Sequence, residues 1–196
     1  MKTLILSTPE DITRFNDIYC GFSKRRASEE LLLNGVVRVF LNENGEWIAG
    51  YCINSKGPLQ YFACIDPQTL NERLNILNLK DTNFVETIAM WIKRDRINLL
   101  TRVRIYWQCF SDAKASGRDY LLAGTFEEKI MSTHNLVCKK ILFQGVLNHR
   151  NHSQKGWIYY EHTSLIHLRL AIAAVNEVFR RRKKSVPVEG KILHAK

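Results

Sequence analysis

Two apolar blocks, FVETIAMWI (84–92) and DYLLAGTF (119–126), frame a segment with a different hydrophobic period. Each block is short and dense in branched and aromatic residues, the composition of a buried strand. Between them, in NLLTRVRIYWQCFSDAKASG (98–117), Leu99, Leu100, Val103, Trp107 and Phe110 recur at helical intervals, and Gly117 supplies a C-terminal stop. Buried strand, helix, buried strand restricts the chain to an α/β architecture.

The rest of the chain extends this pattern. KTLILS reads as a first strand. Thr8 caps a helix entered at Pro9, with Ile12, Phe15, Ile18 and Tyr19 at helical spacing. ASEELLL fits a second short helix ended by Asn34-Gly35. VVRVFLNENGEWIAGYCINS is a hairpin turning at Asn44-Gly45. PLQYFACID reads as a further strand or an irregular continuation, and PQTLNERLNILNL as a short helix. EEKIMSTHNL predicts a short helix with glutamates at its positive end. KKILFQGVL and GWIYYEH are two strands joined by the polar loop NHRNHSQK. A final helix over about 164–184 carries the stripe Leu165, Leu168, Ile172, Val175 and Phe179, which docks on the sheet or meets another helix. The stripe spans barely two heptads, too few for a coiled coil to be the stronger reading.

Length and composition bound the function. A chain of 196 residues suits one substantial domain, and 45% hydrophobic content excludes a disordered chain. We expect one domain over 1–185 and a flexible basic tail over 186–196. No long apolar run predicts a membrane span and no N-terminal segment reads as a signal peptide, so a soluble, cytoplasmic protein is expected. Five cysteines without C-x-x-C spacing argue against a disulfide framework or a zinc site, and His149, His152, His162 and His167 match no metal motif. Of the net charge of +10, residues 180–196 carry +6, so basicity is mostly a property of the C-terminal segment. Such a segment can neutralise phosphates or simply close a helix, and nucleic-acid binding through it and Trp157, Tyr159 and Tyr160 is the weaker reading.

Residues 84–162 resemble the GNAT fold of N-acyltransferases. FVETIAMWI resembles its fourth strand, NLLTRVRIYWQCFSDAKASG its third helix, YLLAGTF its fifth strand, EEKIMSTHNLVC its fourth helix, and KKILFQGVL with WIYYEH its closing strand pair. The resemblance implies a mixed, mostly antiparallel central sheet flanked by helices, here with an added C-terminal helix. It also implies that strands four and five splay apart and hold the pantetheine arm of acetyl-CoA or another acyl-CoA, a co-substrate rather than a tightly bound cofactor. Met90, Trp91 and Ile92 would then offer backbone hydrogen bonds to that arm, and Arg94, Arg96 and Asn98 would meet the pyrophosphate at the helix start. The family's glycines at that start are absent from Lys93-Arg94-Asp95-Arg96-Ile97-Asn98-Leu99, so side-chain cations replace backbone donors. The family's thiolate acid, a tyrosine of the fourth helix, falls on Thr133, with His134 beside it. Glu86, early in the fourth strand, stands where relatives carry a general base.

The expected activity is transfer of an acyl group to an amine, whose identity the sequence leaves open. The donor is an acyl-CoA or an acyl carrier protein. An acidic carrier would meet Arg102, Arg104 and the basic tail. A homodimer is a further expectation. The alternative is a GNAT-like scaffold without catalysis that binds protein or nucleic acid.

Overall fold

A computed structural model describes residues 1–149 and 152–185. The expected basic tail over 186–196 lies outside the described residues. Seven strands form one sheet in the order β1-β2-β3-β4-β5-β7-β6. They are β1 (Lys2–Leu6), β2 (Val36–Leu41), β3 (Trp47–Asn54), β4 (Phe84–Ile92), β5 (Tyr120–Thr125), β6 (Lys140–His149) and β7 (His152–His162). Every pairing is antiparallel except β4 with β5. The mostly antiparallel, helix-flanked sheet expected from the resemblance is therefore present.

The helices are α1 (Pro9–Ser23), α2 (Glu29–Asn34), α3 (Gln60–Ala63), α4 (Pro67–Ile76), α5 (Leu99–Ala115), α6 (Glu128–His134) and α7 (Ile166–Ser185). Thr8 caps α1 by accepting from Asp11 N–H, with Pro9 in the first turn. One face of the sheet packs Val85, Leu121, Trp157 and Tyr159 against Ile105, Cys109 and Ala113 of α5 and Ile166 and Leu170 of α7. The opposite face divides in two. Phe15, Leu32, Val37 and Trp91 pack under α1 and α2, and Phe62, Leu74, Phe84 and Ile158 under α3 and α4.

Four sequence expectations are corrected. PLQYFACID is no strand: its centre is the helical turn α3. The loop expected over 148–155 is mostly strand, because β6 runs to His149 and β7 starts at His152 in continuous antiparallel register. The buried face of α5 is Ile105, Cys109, Phe110 and Ala113, whereas Leu100 is 70% and Trp107 48% exposed. Small residues let α5 approach the sheet closely, so ranking side chains by size set the face off by part of a turn. The stripe on α7 faces outward as well. Ile166 and Leu170 dock, while Leu168 is 60% and Phe179 57% exposed.

A polar network fastens α5 to the sheet. Arg38 of β2 donates to both Asp112 oxygens, at 2.7 and 3.0 Å, and the Tyr51 hydroxyl of β3 donates to Asp112 at 2.8 Å. Gln108 adds a fourth donor at 3.0 Å. Both ion-pair partners are largely buried, so the carboxylate has exchanged water for three protein side chains.

Candidate active site

β4 and β5 pair only at Phe84–Tyr120, Val85–Leu121 and Glu86–Leu122. Both strands continue past that point. β4 stays paired to β3 as far as Ile92, and β5 to β7 as far as Thr125. The facing edges from Thr87 and from Ala123 onward therefore share no ladder. Unpaired strand edges present backbone donors and acceptors to whatever lies between them.

A bulge in β4 lies along this opening. Tyr51 of β3 stands opposite both Ala89 and Met90, the pairing jumping from Cys52–Ile88 to Gly50–Trp91. Ala89 has φ +51°, a left-handed conformation that costs a non-glycine residue roughly 1 kcal/mol or more. The bulge reverses the alternation of side chains. Met90 and Ile92 pack on the α5 face with Ile97, Val103 and Tyr106, while Ala89 and Trp91 lie on the face toward α1. Trp91 stacks on Phe22 with ring centroids 5.7 Å apart, and its buried Nε1 has no hydrogen-bond partner among the described residues. Met90, Trp91 and Ile92 thus line the unpaired edge, with side chains divided between its two sides.

Beyond β4 a single 3-10 turn, Arg94–Arg96, replaces the glycine loop. Arg94 and Arg96 are exposed, and Arg96 lies 3.5 Å from Asp95. The Asn98 side chain caps α5 by accepting from Thr101 N–H at 2.8 Å, so its oxygen is committed to the helix. Arg102, in the first turn of α5, has a buried Nε that meets no hydrogen-bond partner among the described residues. Arg94 and Arg102 both act on the buried Tyr106 hydroxyl. Burial raises its pKa above the ordinary value, and the two cations partly offset that rise.

α6 covers the same face. His134 sits edge-on to Tyr159 of β7 with ring centroids 5.7 Å apart. Burial lowers the His134 pKa to about 4, so the ring is neutral at pH 7. Among the described residues its buried Nδ1 meets no hydrogen-bond partner, nor do the buried Asn135 Oδ1 and the hydroxyl of Tyr159, a residue with no exposed surface. Burial also holds the Tyr159 pKa above its ordinary value, so the hydroxyl keeps its proton. Tyr159 pairs with Ala123, the first β5 residue past the end of the β4 ladder. The side chain of Thr133 lies outside what the structure describes.

Glu86 is fully buried on the opposite face. Its Oε1 accepts from Asn54 Nδ2 at 2.8 Å and Gln60 N–H at 2.7 Å, and its Oε2 from Tyr61 N–H at 3.1 Å. Burial raises its pKa and the three donors counter that rise. The carboxylate is committed to holding the start of α3. Tyr61, which it fixes, reaches into the opening: its hydroxyl lies 3.2 Å from the Thr87 carbonyl and 3.3 Å from the Gly124 carbonyl, one on each strand.

Arg25, in the loop between α1 and α2, stands on the same side as Tyr61. Its guanidinium lies 4.4 Å over the Phe126 ring and donates to Gln154 at 2.7 Å. The sequence reading does not assign Tyr61 or Arg25, and it turns Arg102 toward an acidic carrier and Tyr159 toward nucleic acid rather than toward this opening. For Tyr61 a signal existed in Gly124, a glycine inside a strand, which often marks close approach by another group. Burial pushes the Cys109 and Cys138 thiols up to about 12, which removes them as nucleophiles. Among the described residues no cluster of three metal-ligating side chains occurs, and no helix is long and apolar enough to cross a membrane.

The parted parallel strands, the β4 bulge and the helix beginning just past it define a GNAT-like fold, and comparison with solved structures agrees. FeeM, an N-acyl amino acid synthase from uncultured soil microbes, superposes with a TM-score of 0.62 at 11% identity, over 89% of this chain and 98% of its own. TofI in an apo form superposes with a TM-score of 0.58 at 10% identity, over 87% and 97%. The protein yncA of Salmonella typhimurium, solved with its cofactor acetyl-CoA, gives 0.50 at 12%, over 83% and 95%. No protein-family model and no curated protein matches the sequence.

Proposed function

We propose that this chain is an N-acyltransferase that binds the pantetheine arm of an acyl thioester between β4 and β5. The observation that carries the proposal is the ladder that stops at Glu86–Leu122 while both strands run on. The unpaired edge of β4 at Met90–Ile92 would supply backbone donors to the arm and to the thioester oxygen as negative charge develops on it. Arg102, and Arg94 at the mouth, would meet the donor's phosphates. Arg94 and Arg96 are solvated, and Asn98 caps its own helix, which suits a loosely held nucleotide end. An acyl carrier protein, which presents only a phosphopantetheine, is therefore a second donor to test.

In the reaction the amine nitrogen attacks the thioester carbonyl carbon, the C–N bond forms and the C–S bond breaks. The departing thiolate takes a proton from the Tyr159 hydroxyl, which regains one from water. The amine's surplus proton leaves to solvent, since Glu86 is occupied by its three donors. Neutral His134 lines the Tyr159 ring and has no cationic proton to give at pH 7. An amino acid acceptor, by analogy with FeeM, would carry a carboxylate, and Arg25 is the cation on the acceptor side.

Calorimetric titration with CoA and acetyl-CoA at two salt concentrations tests the donor. The expected result is a Kd near or below about 10 μM, roughly −7 kcal/mol, weakened in Arg102→Ala. Absence of heat from both would remove CoA as donor, and absence of heat from an acylated carrier protein as well would remove the proposal.

A further inference from the structure

We infer that Tyr61 is a gate that limits the length of the acyl group the slot accepts. The inference rests on the acyltransferase reading above and adds a specificity to it. Tyr61 stands where the ladder between β4 and β5 ends. Its hydroxyl donates toward the Thr87 carbonyl on one strand and the Gly124 carbonyl on the other, at 3.2 and 3.3 Å. One side chain thus spans the gap with the kind of bond that the missing ladder would have made.

Three features hold it there. One edge of the Tyr61 ring lies against Gly124, where an added Cβ would sit 2.6 Å from Cε1, so only glycine at 124 leaves room for the ring. The Tyr61 N–H and that of Gln60 are both bound by the buried Glu86 carboxylate. Phe62, next in the same turn, packs edge-on to Phe84 with centroids 5.3 Å apart. Glu86 is thereby a positioning residue for the gate rather than a base.

A thioester arriving along the α5 face would direct its acyl chain through the gap toward the α3 face, where the Tyr61 ring stands. A methyl group ends before the ring. A longer chain must displace the ring and break its contacts with both strands. Removing the side chain exchanges this barrier for an apolar opening walled by Phe62, Phe84, Leu122 and Ile158.

The test is a series of calorimetric titrations with acetyl-, butyryl-, octanoyl- and dodecanoyl-CoA on the full chain and its Tyr61→Ala and Tyr61→Phe variants, each first checked for cooperative thermal unfolding. The wild type is expected to bind octanoyl-CoA no more tightly than acetyl-CoA. Tyr61→Ala should shift the ratio of octanoyl-CoA to acetyl-CoA affinity toward octanoyl-CoA by about tenfold, roughly 1.4 kcal/mol. Tyr61→Phe keeps the ring but loses both carbonyl contacts, so it should shift the same ratio in the same direction by less, and it carries the test if Tyr61→Ala does not fold. Identical chain-length profiles in wild type and Tyr61→Ala, with acetyl-CoA still bound, would overturn the gate and leave the slot. A wild type that strongly prefers the long chains would overturn it too. Loss of binding for every donor in the wild type would remove the slot and the gate together.

Discussion

Glu86 has partners that its position in a strand does not reveal. Read from sequence it is a carboxylate early in β4. In the fold both of its oxygens are spent on Asn54, Gln60 and Tyr61. Glu86→Ala should therefore lower stability by about 3–5 kcal/mol, because three buried donors lose their acceptor; urea denaturation measures it, and an unchanged midpoint would contradict the capping role. His134 gives a pH test with a defined sign. Its folded pKa of about 4 lies below the ordinary 6.5, so the unfolded chain binds the extra proton first as pH falls. The neutral ring's contribution is intact above pH 6.5 and declines toward pH 4, by up to about 3 kcal/mol. His134→Leu should lack that part of the slope, and parallel stability curves for the two proteins would refute the burial. Tyr159→Phe removes the hydroxyl proposed to protonate the departing thiolate. We expect turnover to fall by about a hundredfold or more with acetyl-CoA affinity nearly unchanged. Equal loss of affinity and turnover would mark a packing role instead.

Strands and helices were legible where the pattern was strong, and less so where close packing decided the outcome. The hairpin at Asn44-Gly45, the cap at Thr8 and the alternation of β4, α5 and β5 follow from local chemistry. α3 was hidden because a single turn held by a distant carboxylate leaves no periodicity in PLQYFACID. The bulge in β4 was hidden because its left-handed residue is alanine, not glycine. The face of α5 was misassigned because Cys109 and Ala113, small residues, occupy the tightest approach to the sheet. That approach is fixed by Asp112, whose partners Arg38 and Tyr51 come from two strands. Asp112→Ala leaves Arg38 as a largely buried, unpaired cation and should cost about 3–5 kcal/mol, read as a lowered urea midpoint; a loss near zero would mean the network adds nothing to docking α5.

Taken together, the sheet, the parted β4 and β5 and the helix that starts beyond them form a GNAT-like fold with superposition on FeeM at 11% identity. So low an identity shows how weakly the fold constrains the side chains. In this chain the device is one of backbone, two parallel strands that part at Glu86–Leu122. This is why the parting of β4 and β5, with Met90–Ile92 along its edge, is legible in the order of strands while the side chains brought to it from α3 and β7 are not. Tyr61 and Arg25 on one face and Tyr159 and Arg102 on the other come from segments far apart in sequence, and no local motif joins them. The stripe on α7, expected to be covered, faces outward. The most direct test of the account is amide hydrogen exchange with and without saturating acetyl-CoA. The account predicts protection concentrated at the unpaired edges, residues 87–92 of β4 and 123–125 of β5, with the paired stretch before Glu86 unchanged. Unaltered exchange at residues 87–92 under conditions where acetyl-CoA is bound would contradict a donor slot between these strands.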